Sequence, residues 1–189
     1  MDKPCKVTGM KLIFLALLLA SNVVASDIQV FFSPKGGCTE AVVENVGKAK
    51  LTILVQAYSF TSAPIAKALV DAAKRGVKVQ VILDKSQRTE KYSDADFLLH
   101  EGVPTFIDAK HAIAHNKIII IDSHTVLTGS FNFTKAAEEN NAENILVIDD
   151  AALAKKYTEN WQSHLGHSEP YTDEKGAMTQ TQPNRKRTQ

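Results

Sequence analysis

With 189 residues, the chain is long enough for one well-buried domain and too short for two. Its formal charge of +1 lacks the basic surplus of a tight duplex-nucleic-acid binder. Two cysteines, one of them in the N-terminal segment, leave Cys38 alone and exclude an intramolecular disulfide.

The chain begins as an export signal. Lys3, Lys6 and Lys11 precede an apolar run from Leu12 to Ala20, and Val23-Val24-Ala25 fits a cleavage site. The run is well short of the ~20 apolar residues that span a bilayer. Removing residues 1–25 takes away three Lys and one Asp and moves the formal charge from +1 to −1.

Elements then alternate. A strand over 28–32 leads through Ser33-Pro34-Lys35-Gly36-Gly37 to a helix over 39–50, at whose start Cys38 reads as a partly buried structural thiol. A strand over 52–58, a helix over 63–75 stopping at Gly76 and a strand over 77–83 follow. Residues 84–92 form a charged loop, Ser93 caps a helix to about 101, and 103–107 resumes the sheet. Beyond a hairpin come a strand over 144–148 and a last helix over 150–164. From Glu169 the chain is polar and aperiodic, and residues 169–189 read as a disordered tail. The expected fold is α/β: one domain over 26–168, with a mixed, largely parallel sheet flanked by helices on both faces.

The hairpin carries the chemistry. Ile118 to Ile121 is too apolar and β-branched to be anything but a buried strand. Residues two apart on a strand share a face, so His115 and Lys117 point one way, and Ser130 and Asn132 do the same on the returning strand. Together they aim an imidazole, an ammonium, a hydroxyl and a carboxamide at one phosphate. Asp122 lies five residues past Lys117, odd in parity and at the turn, so it reads as a structural turn or salt-bridge residue.

The pattern His115-x-Lys117-x4-Asp122-x6-Gly129-Ser130-x-Asn132 resembles the signature of the phospholipase D superfamily. Gln29 to Pro34, Leu54 to Phe60 and Glu143-Asn144 are similar to its small bacterial endonuclease branch, the Nuc-type nucleases. The likeness covers roughly residues 27 to 165. It implies His115 as nucleophile, Lys117 and Asn132 as phosphate ligands, Ser130 at the site, Asp122 and Gly129 as motif framework, and Glu143 holding the His ring. It also implies no cofactor and no metal.

Such a site hydrolyses a phosphodiester through a covalent phosphohistidine. One His cannot attack in line and also protonate the leaving group on the opposite side. The family it resembles sets two copies of the motif face to face, so the single copy here implies, through that resemblance, a homodimer with the site on its two-fold axis. The expectation is an exported endonuclease, periplasmic or secreted, that acts on DNA as a transient substrate, with RNA left open. The rivals are a phospholipid hydrolase of the same type and a nucleic-acid-binding module that has lost catalysis.

Other features receive plainer readings. His111 and His115 are four apart, but a strand spreads them ~13 Å and no Cys or carboxylate completes a zinc site. His100, His124, His164 and His167 read as surface residues. Lys85, Arg88 and Lys91 follow the carboxyl end of a strand, where they either meet a substrate backbone or stay solvated.

Overall fold

The computed structural model describes residues 27–91 and 93–172; the export-signal reading of residues 1–25 lies outside them. Eight strands form one sheet: β1 (Asp27–Ser33), β2 (Thr52–Ala57), β3 (Lys78–Asp84), β4 (Thr105–Asp108), β5 (Lys117–Ile121), β6 (Thr125–Gly129), β7 (Glu143–Asp149) and β8 (Glu169–Pro170). Their spatial order is β1-β7-β6-β5-β2-β3-β4-β8. The helices are α1 (Cys38–Lys48), α2 (Ala63–Lys74), α3 (Ala95–His100), α4 (Lys135–Glu139) and α5 (Ala151–Leu165).

The α/β class and the single mixed sheet match the sequence reading, but the parallel share is smaller than expected. Only β2–β3 and β3–β4 pair in parallel; β1–β7, β7–β6, β6–β5, β5–β2 and β4–β8 are antiparallel. The reason is the helix inventory. Only α2 and α3 are crossovers that return the chain to a neighbouring parallel strand. A tight turn joins β5 to β6, and the connections through α4 and α5 lead to strands that pair antiparallel with their neighbours.

Alternation along the strands distributes the core to both faces. On one side Ile53, Val55, Ile119, Leu127 and Val147 pack under Val42 and Val46 of α1 and Ile65 and Leu69 of α2. On the other, Ile82, Ile118, Ile120 and Val126 pack under Ala154 and Trp161 of α5. All four isoleucines of β5 are buried, worth roughly 2 kcal/mol apiece, so this strand is fixed at the middle of the sheet. Cys38 is wholly buried at the start of α1, and burial, reinforced by the Glu138 charge, pushes its thiol up to about 11. A thiol so placed is a poor nucleophile, in keeping with a structural role.

Apart from a single 3-10 turn over Lys85–Arg88, two elements escaped the sequence reading. The five-residue α4 is one; its Glu138 carboxylate accepts from the backbone N–H of Thr39 at 2.7 Å and of Gly37 at 3.3 Å, satisfying the start of α1. The other is β8, which pairs Glu169 and Pro170 with β4 in the segment read as disordered. Tyr171 is buried beside it, and its hydroxyl donates to Asp96 at 2.6 Å. The ordered domain therefore runs past 168.

Candidate functional site

The site lies at the end of the sheet where β2, β3, β4 and β6 finish and β5 and β7 begin. Lys117 opens β5 opposite Ala57, the last residue of β2. Tyr58 N–H donates to the Asn116 carbonyl at 2.9 Å, extending that ladder by one residue. The extension brings the exposed His115 ring to 4.6 Å from the Tyr58 ring, centroid to centroid.

Lys117 is only 6% exposed. Its Nζ sits 5.1 Å from the Tyr58 ring centroid and donates to the His115 carbonyl at 2.8 Å. Burial lowers its pKa, and the negative charge of Glu143 opposes that shift. Among the described residues this carbonyl is its one hydrogen-bond partner, so two of the three ammonium protons are available to an oxyanion.

The partners from β6 arrive differently from the sequence picture. The strand ends at Gly129, and the N–H groups of Ser130 and Phe131 both donate to the Asn144 carbonyl at 3.1 Å. Ser130 and Asn132 are thus loop residues. The alternation survives in burial, with Phe131 and Phe133 in the core, Ser130 exposed and Asn132 half-buried. The Ser130 hydroxyl accepts from Asn144 N–H at 3.1 Å. The Asn132 Oδ1 is buried without a hydrogen-bond partner. Gly129 has no room for a side chain: a Cβ there would stand 2.3 Å from the Asn144 carbonyl oxygen.

Glu143 opens β7, its backbone N–H donating to the Ser33 hydroxyl at 3.2 Å and its Oε1 accepting from Asn141 at 3.2 Å. Among the described residues its carboxylate makes no hydrogen bond to the His115 ring; its tie to the site is the charge it sets against Lys117.

Asp122 lies at the far end of β5. Held at φ 52°, it accepts from the backbone N–H groups of Lys50 at 2.8 Å, Leu51 at 2.7 Å and Thr52 at 2.8 Å. Partial burial would raise its pKa, but these three donors prevail and lower it. The motif carboxylate therefore fixes the turn to the start of β2.

The basic loop is committed internally. Lys85 donates to the His111 carbonyl at 3.0 Å, and Arg88 pairs with Glu169 at 3.0 Å.

The histidines carry the main correction. His100 and His124 are exposed as expected, but His164 and His167 keep only 16% and 20% of their side-chain surface. With His111 they converge on Asp108, a carboxylate with no exposed surface. The carboxylate thought to be missing around His111 is Asp108, and the further imidazoles come from the far end of the chain. The repeated spacing Asp108-x-x-His111 and His164-x-x-His167 was the available signal.

Residues 42–165 match the family described as the phospholipase D-like domain of cardiolipin synthase. A protein named phospholipase D in Rickettsia conorii is 43% identical over 141 residues, covering 75% of this chain and 70% of that one. Among solved structures, the phospholipase D family member Nuc from Salmonella typhimurium superposes with a TM-score of 0.75 at 41% identity, covering 79% of this chain and all of that one. NucT from Helicobacter pylori does so with a TM-score of 0.71 at 28% identity, covering 78% of this chain and all of that one.

Proposed function

Because the chain belongs to the phospholipase D superfamily, as a phosphodiester-hydrolysing enzyme of its Nuc type, we propose that it is an exported endonuclease that cuts DNA without sequence preference. The observation that carries this reading is Lys117: a buried, under-partnered ammonium held against the backbone of an exposed His. Among the described residues the groups gathered around His115 are an ammonium, a hydroxyl and a carboxamide suited to phosphate oxygens, which favours a substrate held by its backbone.

In the first step a ring nitrogen of His115 attacks phosphorus, a P–N bond forms and the P–O bond to the leaving nucleotide breaks. The departing oxygen takes a proton from the imidazolium of a second His115. Water then attacks the phosphohistidine, gives its proton to that second, now neutral, imidazole, and the P–N bond breaks to leave a phosphomonoester. Lys117 and Asn132 bind the non-bridging oxygens and stabilise the charge that grows on them. Ser130 borders the same oxygens, and Glu143 keeps Lys117 cationic.

The second His115 belongs to a second copy of the chain. Support for that assembly comes from the edge strand β1, where Ile28, Val30 and Phe32 form an apolar row, 58%, 49% and 61% exposed. Phe32 pairs with Asn144 in register, next to Ser33 and Glu143, so the row runs up to the site. Covering it with an identical row satisfies an apolar edge that otherwise invites aggregation.

The name of the Rickettsia relative favours phospholipid hydrolysis as a second reading. Residues 26–189, incubated with supercoiled plasmid and separately with phosphatidylcholine or cardiolipin vesicles, decide between them. The expected result is plasmid nicking that starts normally in freshly added chelator, disappears in His115→Asn and belongs to a dimer in sedimentation. Lipid cleavage without nicking establishes the second reading. An active monomer, or activity that appears only with added magnesium, overturns the mechanism.

A further inference from the structure

We propose that Asp108, His111, His164 and His167 bind one divalent ion of the zinc class, at a site separate from the His115 centre. Asp108 ends β4, and His111 lies three residues on, in the segment leading to Lys117. His164 occupies the last turn of α5, and His167 lies just past its Gly166 C-cap. The Asp108 Oδ2 atom is 2.9 Å from His111 Nδ1, 2.8 Å from His164 Nδ1 and 3.3 Å from His167 Nε2. All four ligand atoms lie within 4.8 Å of one another. The three rings pack at centroid separations of 4.9, 5.1 and 5.3 Å.

Hydrogen bonding alone accounts poorly for this arrangement. One carboxylate oxygen offers about two lone pairs, yet three ring nitrogens are aimed at it. The other oxygen already accepts from Lys110 N–H at 3.1 Å and lies 3.1 Å from His111 Nδ1. Three imidazoles turned on one point of a buried carboxylate are donors in search of an acceptor only if all carry protons there. As lone-pair donors to a cation they are complementary to it.

Geometry and chemistry agree on the ion. Ligands about 2.0–2.1 Å from a tetrahedral zinc stand roughly 3.3 Å apart, close to the spacing around Asp108 Oδ2. Four protein ligands leave no open position, the mark of a structural site rather than one that activates water. Three imidazoles and one carboxylate without a thiolate suit zinc, cobalt or nickel and disfavour magnesium and calcium.

The place of the cluster gives it a role. The segment from Lys110 to Asn116 crosses the ends of β3 and β2 before delivering His115. It is already tied down by Lys85 to the His111 carbonyl and by Ala114 N–H to Asp84 Oδ2 at 2.7 Å. An ion on His111 adds a further tether and fastens this segment to α5. The ion would thus set the position of His115 without touching the substrate.

The test uses untagged protein purified without chelators and reads metal, not catalysis, so its outcome is separable from that of the nuclease reading. Elemental analysis is expected to find about one zinc per chain. Cobalt(II) replacing it should give the intense visible bands of a tetrahedral complex. His164→Ala and His111→Ala should each lose nearly all bound metal, whereas His124→Ala and His115→Asn should keep it. The His111 ring is the most exposed of the three at 42%, so His111→Ala supplies the reading if His164→Ala does not fold. Wild-type protein that carries no metal and takes up no cobalt, or metal retained in His111→Ala, overturns the proposal.

Discussion

The ammonium of Lys117 folds back onto the carbonyl of His115, 2.8 Å away, so the cation proposed to bind phosphate also props the residue proposed to attack it. Its protonation is a balance between burial, which disfavours the charge, and Glu143, which favours it. Glu143→Gln removes the favourable side. Lys117 then loses its proton at lower pH, and the alkaline limb of kcat/KM against pH moves toward neutrality. Lys117→Met should lower kcat roughly 100- to 1,000-fold at every pH. A Glu143→Gln profile that superposes on the wild type sinks this account.

Asp122 should behave as a structural residue despite standing in the signature. Asp122→Asn weakens three backbone contacts at a turn open to solvent, which should cost about 1–2 kcal/mol in urea denaturation. Nicking by the folded variant should stay within about twofold of wild type. Because the folded-state pKa of Asp122 is depressed, its stabilisation is present above the unfolded carboxylate value of about 3.9 and fades as pH falls through the folded one. The stability gap between the two proteins should therefore narrow in acid.

Gly129→Ala tests the close approach of β6 and β7. The added methyl meets the Asn144 carbonyl oxygen at 2.3 Å, a backbone atom that cannot swing aside. The two strands must part where Ser130 and Glu143 enter the site. A loss of about 3 kcal/mol is expected, with reduced nicking even well below the melting temperature. Unchanged stability would mean that the strands separate at no cost.

Asp94 carries the opposite pH signature from Asp122. Its Oδ2 is buried without a hydrogen-bond partner, and desolvation pushes its pKa up to about 6. The folded state thus holds this proton more tightly than the unfolded chain does. Its stability is full below about pH 4 and declines as pH rises through the folded value. Asp94→Asn should raise the melting temperature at pH 7 to 8, by an amount equivalent to about 1 kcal/mol after allowance for solvent contact. The gain should vanish near pH 4, and thermal denaturation at both pH values checks it.

The chain's own order of residues settled a good deal. Four consecutive isoleucines have no alternative to a central buried strand, and a period of two puts Lys117 on the face of His115. The hairpin residues that follow are local, so their spacing carried the signature intact. Asp122 was legible as a turn residue from its odd parity and its place between the two strands of the hairpin. The parallel share of the sheet was not legible, because strand direction follows from how connections pack and not from the strands themselves. Nor was β8, whose two residues are held by β4 and by the buried Tyr171, with no period of their own.

The histidine cluster marks the division most sharply. His111 and His164 are 53 positions apart in the chain. No local pattern joins them, since they meet only because α5 lies across the face of β6, β5, β2 and β4 and ends above Asp108. Local periodicity wrote the strand and the His115–Lys117 pair into the sequence. Long-range packing alone decided which distant imidazoles would share one carboxylate, because such a contact depends on where a whole helix comes to rest.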